Sequence, residues 1–157
     1  MATINIALLL LCMALCLVEA KQTKTNMVFY MHDWHSGTDT TAIPVAGVKN
    51  KPWNTIQFGT LASAQVGRAH GVYVNSALDG SDLHLVLSLV FTSKEHNGST
   101  LEIQGADRLF QEYREVSVVS GTGKFRFARG YATLETAFLD FKIADASIRW
   151  NLTVLHY

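Results

Sequence analysis

Cysteine and proline are scarce in this chain, and each is confined to one short stretch of it. The two cysteines, Cys12 and Cys16, fall within the first 20 residues, and the two prolines, Pro44 and Pro52, fall in the irregular stretch Thr38–Trp53. Once the first 20 residues are set aside, as argued below, no thiol nucleophile, disulfide or cysteine metal site is left. The remaining chain, roughly 137 residues, is long enough to be stabilised by one hydrophobic core.

An excess of charge of one sign is lacking as well. The sequence has 13 basic and 13 acidic residues without a basic cluster, and Glu19 is the one charged residue among the first 20. A near-neutral surface of this kind argues against nucleic acid as a partner. The Gly-x-Ser-x-Gly motif of many serine hydrolases is also missing from the sequence.

The first 20 residues are typical of a secretory signal. Ile4–Val18 is almost wholly apolar, and Val18-Glu19-Ala20 has the residue types that a signal peptidase reads, so we predict cleavage after Ala20. The apolar run is shorter than the ~20 residues of a membrane-spanning helix, and no second run follows it. We therefore expect a signal peptide at 1–20, one domain at 21–157, and a secreted protein without a membrane anchor.

Two sequons fit this secretory route. They are Asn97-Gly98-Ser99 and Asn151-Leu152-Thr153. Each matches the acceptor pattern for N-linked sugar. We expect Asn97 and Asn151 to be glycosylation sites.

Alternating apolar side chains predict β-strands through most of 21–157. Every second position is apolar over Leu83–Phe91 and again over Ile148–Val154. Successive side chains of a strand point to opposite faces, so a period of two places each apolar set on one face. Further strands are predicted at Met27–Asp33, Ile56–Leu61, Gly71–Asn75, Leu101–Gly105, Arg114–Val119 and Arg126–Leu134.

Turn residues separate these strands at short intervals. Asp79-Gly80 and Asn97-Gly98 favour two-residue hairpins, and Gly121-Thr122-Gly123 marks a further turn. Successive hairpins give an antiparallel meander, which either packs as a sandwich or closes into a barrel. Several strands carry apolar and polar residues on both faces. This favours an all-β antiparallel barrel with a lined interior.

Three charged residues break the apolar pattern. The strand alternation puts Asp33, Asp107 and Arg114 on the same side as the core residues of their strands. An unpaired charge buried there costs several kcal/mol, so such groups persist when they are paired or when they act on a ligand. Two interpretations stay open. The acids serve a ligand site, or Arg114 neutralises Asp107 in a structural ion pair.

Histidine is present, but not in the arrangement of a metal site. His32 and His35 are three residues apart, which on a strand places them on opposite faces. Zinc usually needs three or four converging ligands. We therefore predict no metal site and no cofactor. Tyr73 and Tyr131 are candidates for holding a flat aromatic ligand by stacking.

Five motifs in a fixed order give the sequence a specific resemblance. They are Val28–Asp33 (VFYMHD), Gln65–Tyr73 (QVGRAHGVY), Gly105–Asp107 (GAD), Tyr113–Gly123 (YREVSVVSGTG) and Ala128–Ala132 (ARGYA). Together they resemble the plant dirigent family, and the likeness extends over essentially all of 21–157.

The resemblance implies an eight-stranded antiparallel barrel that is secreted to the extracellular space, the apoplast, as a homo-oligomer, usually a trimer, although a dimer is possible. It implies an auxiliary protein without oxidative activity of its own. A separate laccase or peroxidase makes phenoxy radicals from coniferyl alcohol, and the barrel directs their stereoselective coupling to lignans. The alternative is a true enzyme of the same family that dehydrates isoflavanols to pterocarpans.

The resemblance also assigns roles to four residues. Asp33 and Asp107 match the pocket acids of the family, which assist reactions of a quinone methide intermediate. Arg114 and Tyr73 match residues that orient the ligand.

The sequence departs from the family pattern in two ways. Asn26 and the tail Val154–Tyr157 stand where some members carry a pair of cysteines, so the barrel must close without a disulfide. The link Leu61–Ala64 is shorter than in the family. We therefore expect part of one strand and its loop to be missing after Thr60.

Overall fold

The computed structural model of the protein describes residues 21–38, 56–59, 65–75 and 77–157, and of 56–59 it describes the backbone. Eight strands lie in these ranges: β1 (Thr23–Asp33), β2 (Ile56–Gly59), β3 (Gly67–Asn75), β4 (Asp82–Phe91), β5 (Thr100–Arg108), β6 (Arg114–Thr122), β7 (Arg129–Asp140) and β8 (Asp145–His156). A short 3₁₀ turn, Gly123–Phe125, joins β6 to β7. Each strand pairs antiparallel with the next, and β8 pairs with β1, which closes the barrel.

The predicted fold class, an antiparallel eight-stranded barrel, is confirmed. Most observed strands are longer than the apolar alternation indicated, because ladder pairing continues through the polar residues at the strand ends. The predicted signal at 1–20 and most of the predicted loop Thr38–Trp53 lie outside the described residues. In the part of the chain that is described, no helix has the length and hydropathy needed to cross a membrane.

The barrel interior is filled by the apolar side chains that occupy alternate positions of the strands. Leu85, Leu87 and Leu89 of β4 are almost completely buried. Trp150 of β8 is fully buried and stacks on Phe29 of β1, with ring centroids 6.2 Å apart. Burial of large apolar side chains like these is the main source of stability in a barrel whose described residues include no cysteine.

One end of the barrel, which we call the far end, is filled by aromatic rings. Phe125 is fully buried there, and its ring centroid lies 5.4 Å from Phe91, 5.0 Å from His96 and 5.2 Å from His156. The side chain of His156 is held from β1 by a 2.9 Å hydrogen bond to the Thr25 hydroxyl. The far end is therefore packed, in contrast to the opposite end described below.

β2 is the shortest strand of the barrel. This strand has 4 residues, whereas its neighbours β1 and β3 have 11 and 9. It pairs with β1 from Tyr30–Gly59 to His32–Gln57 and with β3 from Ile56–Ala69 to Phe58–Gly67. β2 is thus paired on both sides, and the part of the chain just after Thr60, where a strand segment and loop are expected to be missing, lies outside the described residues.

The two ends of the described chain are held together by strand pairing. β1 pairs with β8 along its whole length, from Thr23–His156 to Asp33–Ala146. The Thr153 hydroxyl also donates a 3.1 Å hydrogen bond to the side-chain oxygen of Asn26. This continuous ladder joins the first and last strands of the barrel along the whole length of β1.

The turns lie where the sequence indicated, but the prediction of two-residue hairpins is wrong. β3 ends at Asn75 and β4 begins only at Asp82. The Asp79 carboxylate accepts hydrogen bonds from the Ser81 backbone N–H (3.0 Å) and from its hydroxyl. Asp79 thereby stabilises a wider turn, since an aspartate side chain that bonds two residues ahead competes with a tight hairpin.

Gly71 is required for the close approach of β3 and β4. Its φ of +154° lies in a region that side-chain-bearing residues rarely adopt, and a Cβ atom there would overlap the carbonyl oxygen of Val86. Only glycine fits such a position.

Candidate functional site

The predicted site residues gather at one end of the barrel, which we call the mouth. In an antiparallel meander, the ends of odd-numbered strands meet the beginnings of even-numbered strands. Asp33, Tyr73 and Asp107 lie near the ends of β1, β3 and β5, and Arg114 begins β6. The topology therefore brings residues that are far apart in the sequence to the same rim.

Asp107 and Arg114 form a buried ion pair. Arg114 Nη1 donates a 2.8 Å hydrogen bond to Asp107 Oδ1, and the two side chains are 2% and 7% exposed, respectively. Arg114 Nη2 donates a further 2.7 Å bond to the Thr136 hydroxyl on β7. Burial raises the pKa of Asp107, and the Arg114 guanidinium opposes that rise. The pairing offered as one interpretation of the sequence is therefore present.

Asp33 lies in a different environment, although it also faces inward. Its side chain is 19% exposed, and Oδ1 lies 3.4 Å from Nε2 of His35. Oδ1 is buried, and no described residue donates a hydrogen bond of normal geometry to it. Burial raises the pKa of Asp33, while His35 and Tyr73 act in the opposite direction. Asp33 is thus an acid that retains its proton more readily than an ordinary aspartic acid.

Tyr73 reaches the same group from β3. Its hydroxyl oxygen lies 2.9 Å from Nε2 of His35. Burial, together with the nearby carboxyl of Asp33, raises the pKa of Tyr73. Tyr73 therefore remains a neutral hydroxyl that can donate or accept a hydrogen bond. Asp33, His35 and Tyr73 form what we call the Asp33 triad.

Asp145, at the start of β8, holds the segment that follows β1. Its Oδ1 accepts backbone N–H bonds from His35 (2.8 Å) and Ser36 (3.0 Å), and Oδ2 accepts the Ser36 hydroxyl. These bonds, above all the one from the Ser36 hydroxyl, lower the pKa of Asp145. The ionised carboxylate fixes the backbone of His35 and hence the direction of its ring.

A cleft of about 570 Å³ opens beside this segment. It is lined by Trp34, Ser36, Gly37, Thr38, Phe138, Asp145 and Ser147. Its volume lies in the range of small-molecule sites, but none of Asp33, His35 and Tyr73 lines it, so the cleft lies beside the acid group and not around it. The cleft shares Ser36 and Asp145 with the hydrogen bonds that fix His35.

The structure brings the predicted site residues together in two groups rather than one. Asp107 pairs with Arg114, and Asp33 groups with Tyr73. Within the described residues, no ion pair or hydrogen bond joins the two groups. The acids therefore have different surroundings, which allows them different roles.

His35 was missed as a site residue by the sequence reasoning. The available signal was its position two residues after Asp33, which gives the two side chains the same direction if the strand geometry continues. His32 points the other way, where its Nδ1 is 2.8 Å from the Ser147 hydroxyl. The described part of the chain contains no cluster of acidic and histidine side chains arranged to hold a metal ion.

Tyr131 does not line the site. It lies on the outer face of β7 and is 43% exposed, whereas its neighbour Ala132 is fully buried. The suggestion that Tyr131 stacks on a ligand inside the barrel is wrong, because the even-numbered residues of β7, Ala132 and Leu134, are the ones that face the core.

Comparisons with known proteins agree with this geometry. The profile of the family described as Dirigent-like protein matches residues 24–155. Dirigent protein 1 of Arabidopsis thaliana is 35% identical over 147 residues, covering 84% of this chain and 79% of that protein. Pterocarpan synthase 1 of Glycyrrhiza echinata is also 35% identical, with coverage of 85% and 78%. The solved structure of the pterocarpan synthase dirigent protein GePTS1 is similar, with a TM-score of 0.80, 31% identity, and coverage of 90% of this chain and 95% of that one.

Proposed function

Because this chain belongs to the family of dirigent-like proteins, we propose that it binds phenolic molecules at the barrel mouth and directs their stereoselective coupling. The reactants are phenoxy radicals of two coniferyl alcohol molecules, and the products are optically active lignans. A separate laccase or peroxidase supplies the radicals. The protein itself then needs no oxidising group, and its contribution is orientation and proton transfer.

The observation that carries this proposal is the environment of Asp33. It is an inward-facing carboxyl group at the rim, its pKa is raised by burial, and no described residue donates a hydrogen bond of normal geometry to its Oδ1. A carboxyl group of this kind can donate its proton to a ligand oxygen. The other predicted acid, Asp107, is paired with Arg114 and suits a charged, orienting role instead.

The proposed chemistry balances without a cofactor. The oxidase removes one electron and one proton from each coniferyl alcohol, and the two radicals couple to a bis-quinone methide. Each ring closure then forms a carbon–oxygen bond from a side-chain hydroxyl. That hydroxyl loses its proton to solvent, and the quinone methide oxygen gains one from Asp33, so no proton is gained or lost overall. The ring closure is redox-neutral, so an acid on the correct face of the quinone methide is enough to assist it.

A second candidate is an isoflavanol dehydratase, that is, an enzyme of the pterocarpan synthase type. The Asp33 triad favours it, since an acid with a histidine and a tyrosine beside it suits the loss of water. In that reaction the leaving hydroxyl takes a proton from Asp33 and departs as water, and the hydroxyl that closes the new ring gives its proton to solvent. Similarity to pterocarpan synthases in sequence and structure supports this candidate as well.

One pair of assays separates the two functions. The purified protein is incubated with coniferyl alcohol and a laccase, and separately with an isoflavanol alone, and the products are resolved by chiral chromatography. Enantiomeric excess in the first assay alone supports directed coupling, whereas turnover without an oxidant supports the dehydratase. A racemic product in the first assay and no turnover in the second would refute both. Asp79→Asn, an exposed aspartate in the β3–β4 turn, is the matched control for Asp33→Asn.

We also propose that the protein is secreted and glycosylated. The signal-like sequence at 1–20 supports secretion, and both sequon asparagines are exposed, Asn97 in the turn between β4 and β5 and Asn151 on the outer face of β8. Mass spectrometry of protein secreted from plant cells would test both: a chain that begins at Lys21 and carries sugar at these positions agrees with the proposal, and an unprocessed, sugar-free chain contradicts it.

We further propose a homo-oligomer assembled through the outer face of β3 and β4. Val72, Val74 and Val86 are 41%, 57% and 47% exposed there, and Val72 lies directly opposite Val86. Sedimentation of a Val72→Lys variant would test this. A dissociated species is expected, and an unchanged mass would argue against this face.

A further inference from the structure

His35 is placed to interact with two side chains through a single atom. Its Nε2 lies 2.9 Å from the Tyr73 hydroxyl oxygen and 3.4 Å from Asp33 Oδ1. A ring nitrogen carries at most one proton, so Nε2–H can donate to one of these oxygens at a time, and unprotonated Nε2 can accept from Tyr73. A small rotation of the ring thus redirects the Nε2–H hydrogen bond from Tyr73 to Asp33.

The charged and titratable groups around His35 come from three strands. Asp33 lies two residues before it, Tyr73 reaches it from β3, and Asp145 of β8 holds its backbone. Among the described residues, no lysine or arginine forms an ion pair with Asp33, so His35 is the basic partner of this acid there. The His35 side chain is 25% exposed and that of Asp33 is 19% exposed. The imidazole, the more exposed of the two side chains, can therefore exchange protons with solvent beside the acid.

Resting on the function proposed above, we propose that His35 exchanges a proton with Asp33 and so restores the acid after each reaction, while Tyr73 and Asp145 fix the imidazole in place. Asp33 gives its proton to the ligand oxygen. Solvent then protonates Nδ1 of His35 as the Nε2 proton passes to the Asp33 carboxylate, so the ring ends neutral and the acid is restored. His35 acts through Asp33 and does not touch the ligand. It is therefore a positioning and proton-exchanging residue.

The first test needs no ligand. Carbon-13 NMR of aspartate-labelled protein follows the titration of Asp33 in the parent, in His35→Gln and in His70→Gln. His70 is an exposed histidine on the outer face of β3 and serves as the control. Since His35 acts to lower the pKa of Asp33, its removal is expected to shift the Asp33 titration to higher pH, with no shift in the control. An unchanged titration in His35→Gln would overturn the proposal, whatever reaction the protein assists.

The second test uses the activity that the parent shows in the two assays above. His35→Gln keeps a group that can hydrogen-bond Tyr73 but has no exchangeable ring proton. Its rate should fall about tenfold or more, with KM little changed, in the range of general acid–base effects. His35→Ala should fall similarly and recover in part when imidazole is added.

Two results in the second test would contradict the proposal. Full activity of His35→Gln would show that the ring is not needed for proton exchange. A loss in His35→Ala that imidazole does not restore would make His35 a purely structural residue. If the parent fails both assays, the proposed function fails, and the NMR titration still decides the relation of His35 to Asp33.

Discussion

Replacing Arg114 by leucine should destabilise the protein in a manner that depends on pH. The guanidinium is 2% exposed and is bonded to Asp107 and Thr136. At pH 7 its removal leaves the Asp107 carboxylate buried without a counterion, and breaking a buried ion pair in this way costs about 3–5 kcal/mol. Because small domains have roughly 5–15 kcal/mol of stability, the variant should still fold.

The loss should shrink in acid. Burial raises the pKa of Asp107, and without Arg114 to oppose it the pKa rises further. A carboxyl group whose folded pKa lies above its unfolded value binds more protons when folded, so stability falls as pH rises from the unfolded value, about 3.9, to the folded pKa. Near pH 4, Asp107 is protonated in the variant, and only the lost hydrogen bonds remain, about 1–3 kcal/mol.

Urea unfolding at pH 4 and pH 7, followed by tryptophan fluorescence, measures this difference. The control is Arg149→Leu, because Arg149 and Glu135 form a surface pair, 3.0 Å apart, with side chains 38% and 70% exposed. A surface pair of this kind contributes about 0–1 kcal/mol. Adding Asp107→Asn to Arg114→Leu should recover stability at pH 7. A loss that is equal at both pH values, or no larger than that of the control, would refute the reasoning.

Three further predictions concern other parts of the barrel. Asp33→Asn should lower directed coupling or turnover at least ~10-fold. Because the pKa of Asp33 is raised, the parent loses stability as pH rises above about 4, and the variant should lack this part of the pH dependence of its unfolding free energy in urea. Full activity with an unchanged pH dependence would contradict this. Gly71→Ala should not fold, as measured by circular dichroism, because its Cβ would overlap the Val86 carbonyl oxygen. The control Gly98→Ala has open space around it and should fold with a cost of about 1 kcal/mol. A folded Gly71→Ala barrel would show that β3 and β4 can move apart at this point. In hydrogen exchange, the amides of β2 should exchange before those of the β7–β8 ladder, because β2 has so few ladder pairs; the reverse order would show that β2 is held by more than its ladder.

The strands and the burial of Asp107 and Arg114 were predictable from the sequence because both depend on local alternation, whereas their pairing remained one of two interpretations. Counting by twos along β5 and β6 places Asp107 and Arg114 on the core side whatever the rest of the fold does. Their burial follows from that parity.

The Asp33 triad could not be predicted in the same way. His35 lies beyond the end of β1, where alternation no longer fixes a direction, and it is Asp145 of β8 that sets its position. That contact exists only because β1 and β8 pair at the closure of the barrel. The lengths of the turns could not be predicted from the apolar pattern either, since hydrogen bonds of the Asp79 side chain set the length of the β3–β4 turn.

The packed far end has a consequence for ligand traffic. Phe125 and the rings around it fill that end. On the proposed function, a phenolic ligand therefore reaches the acid group only by the mouth. A coupled product then occupies this entrance until it dissociates, so product should act as a competitive inhibitor of its own formation.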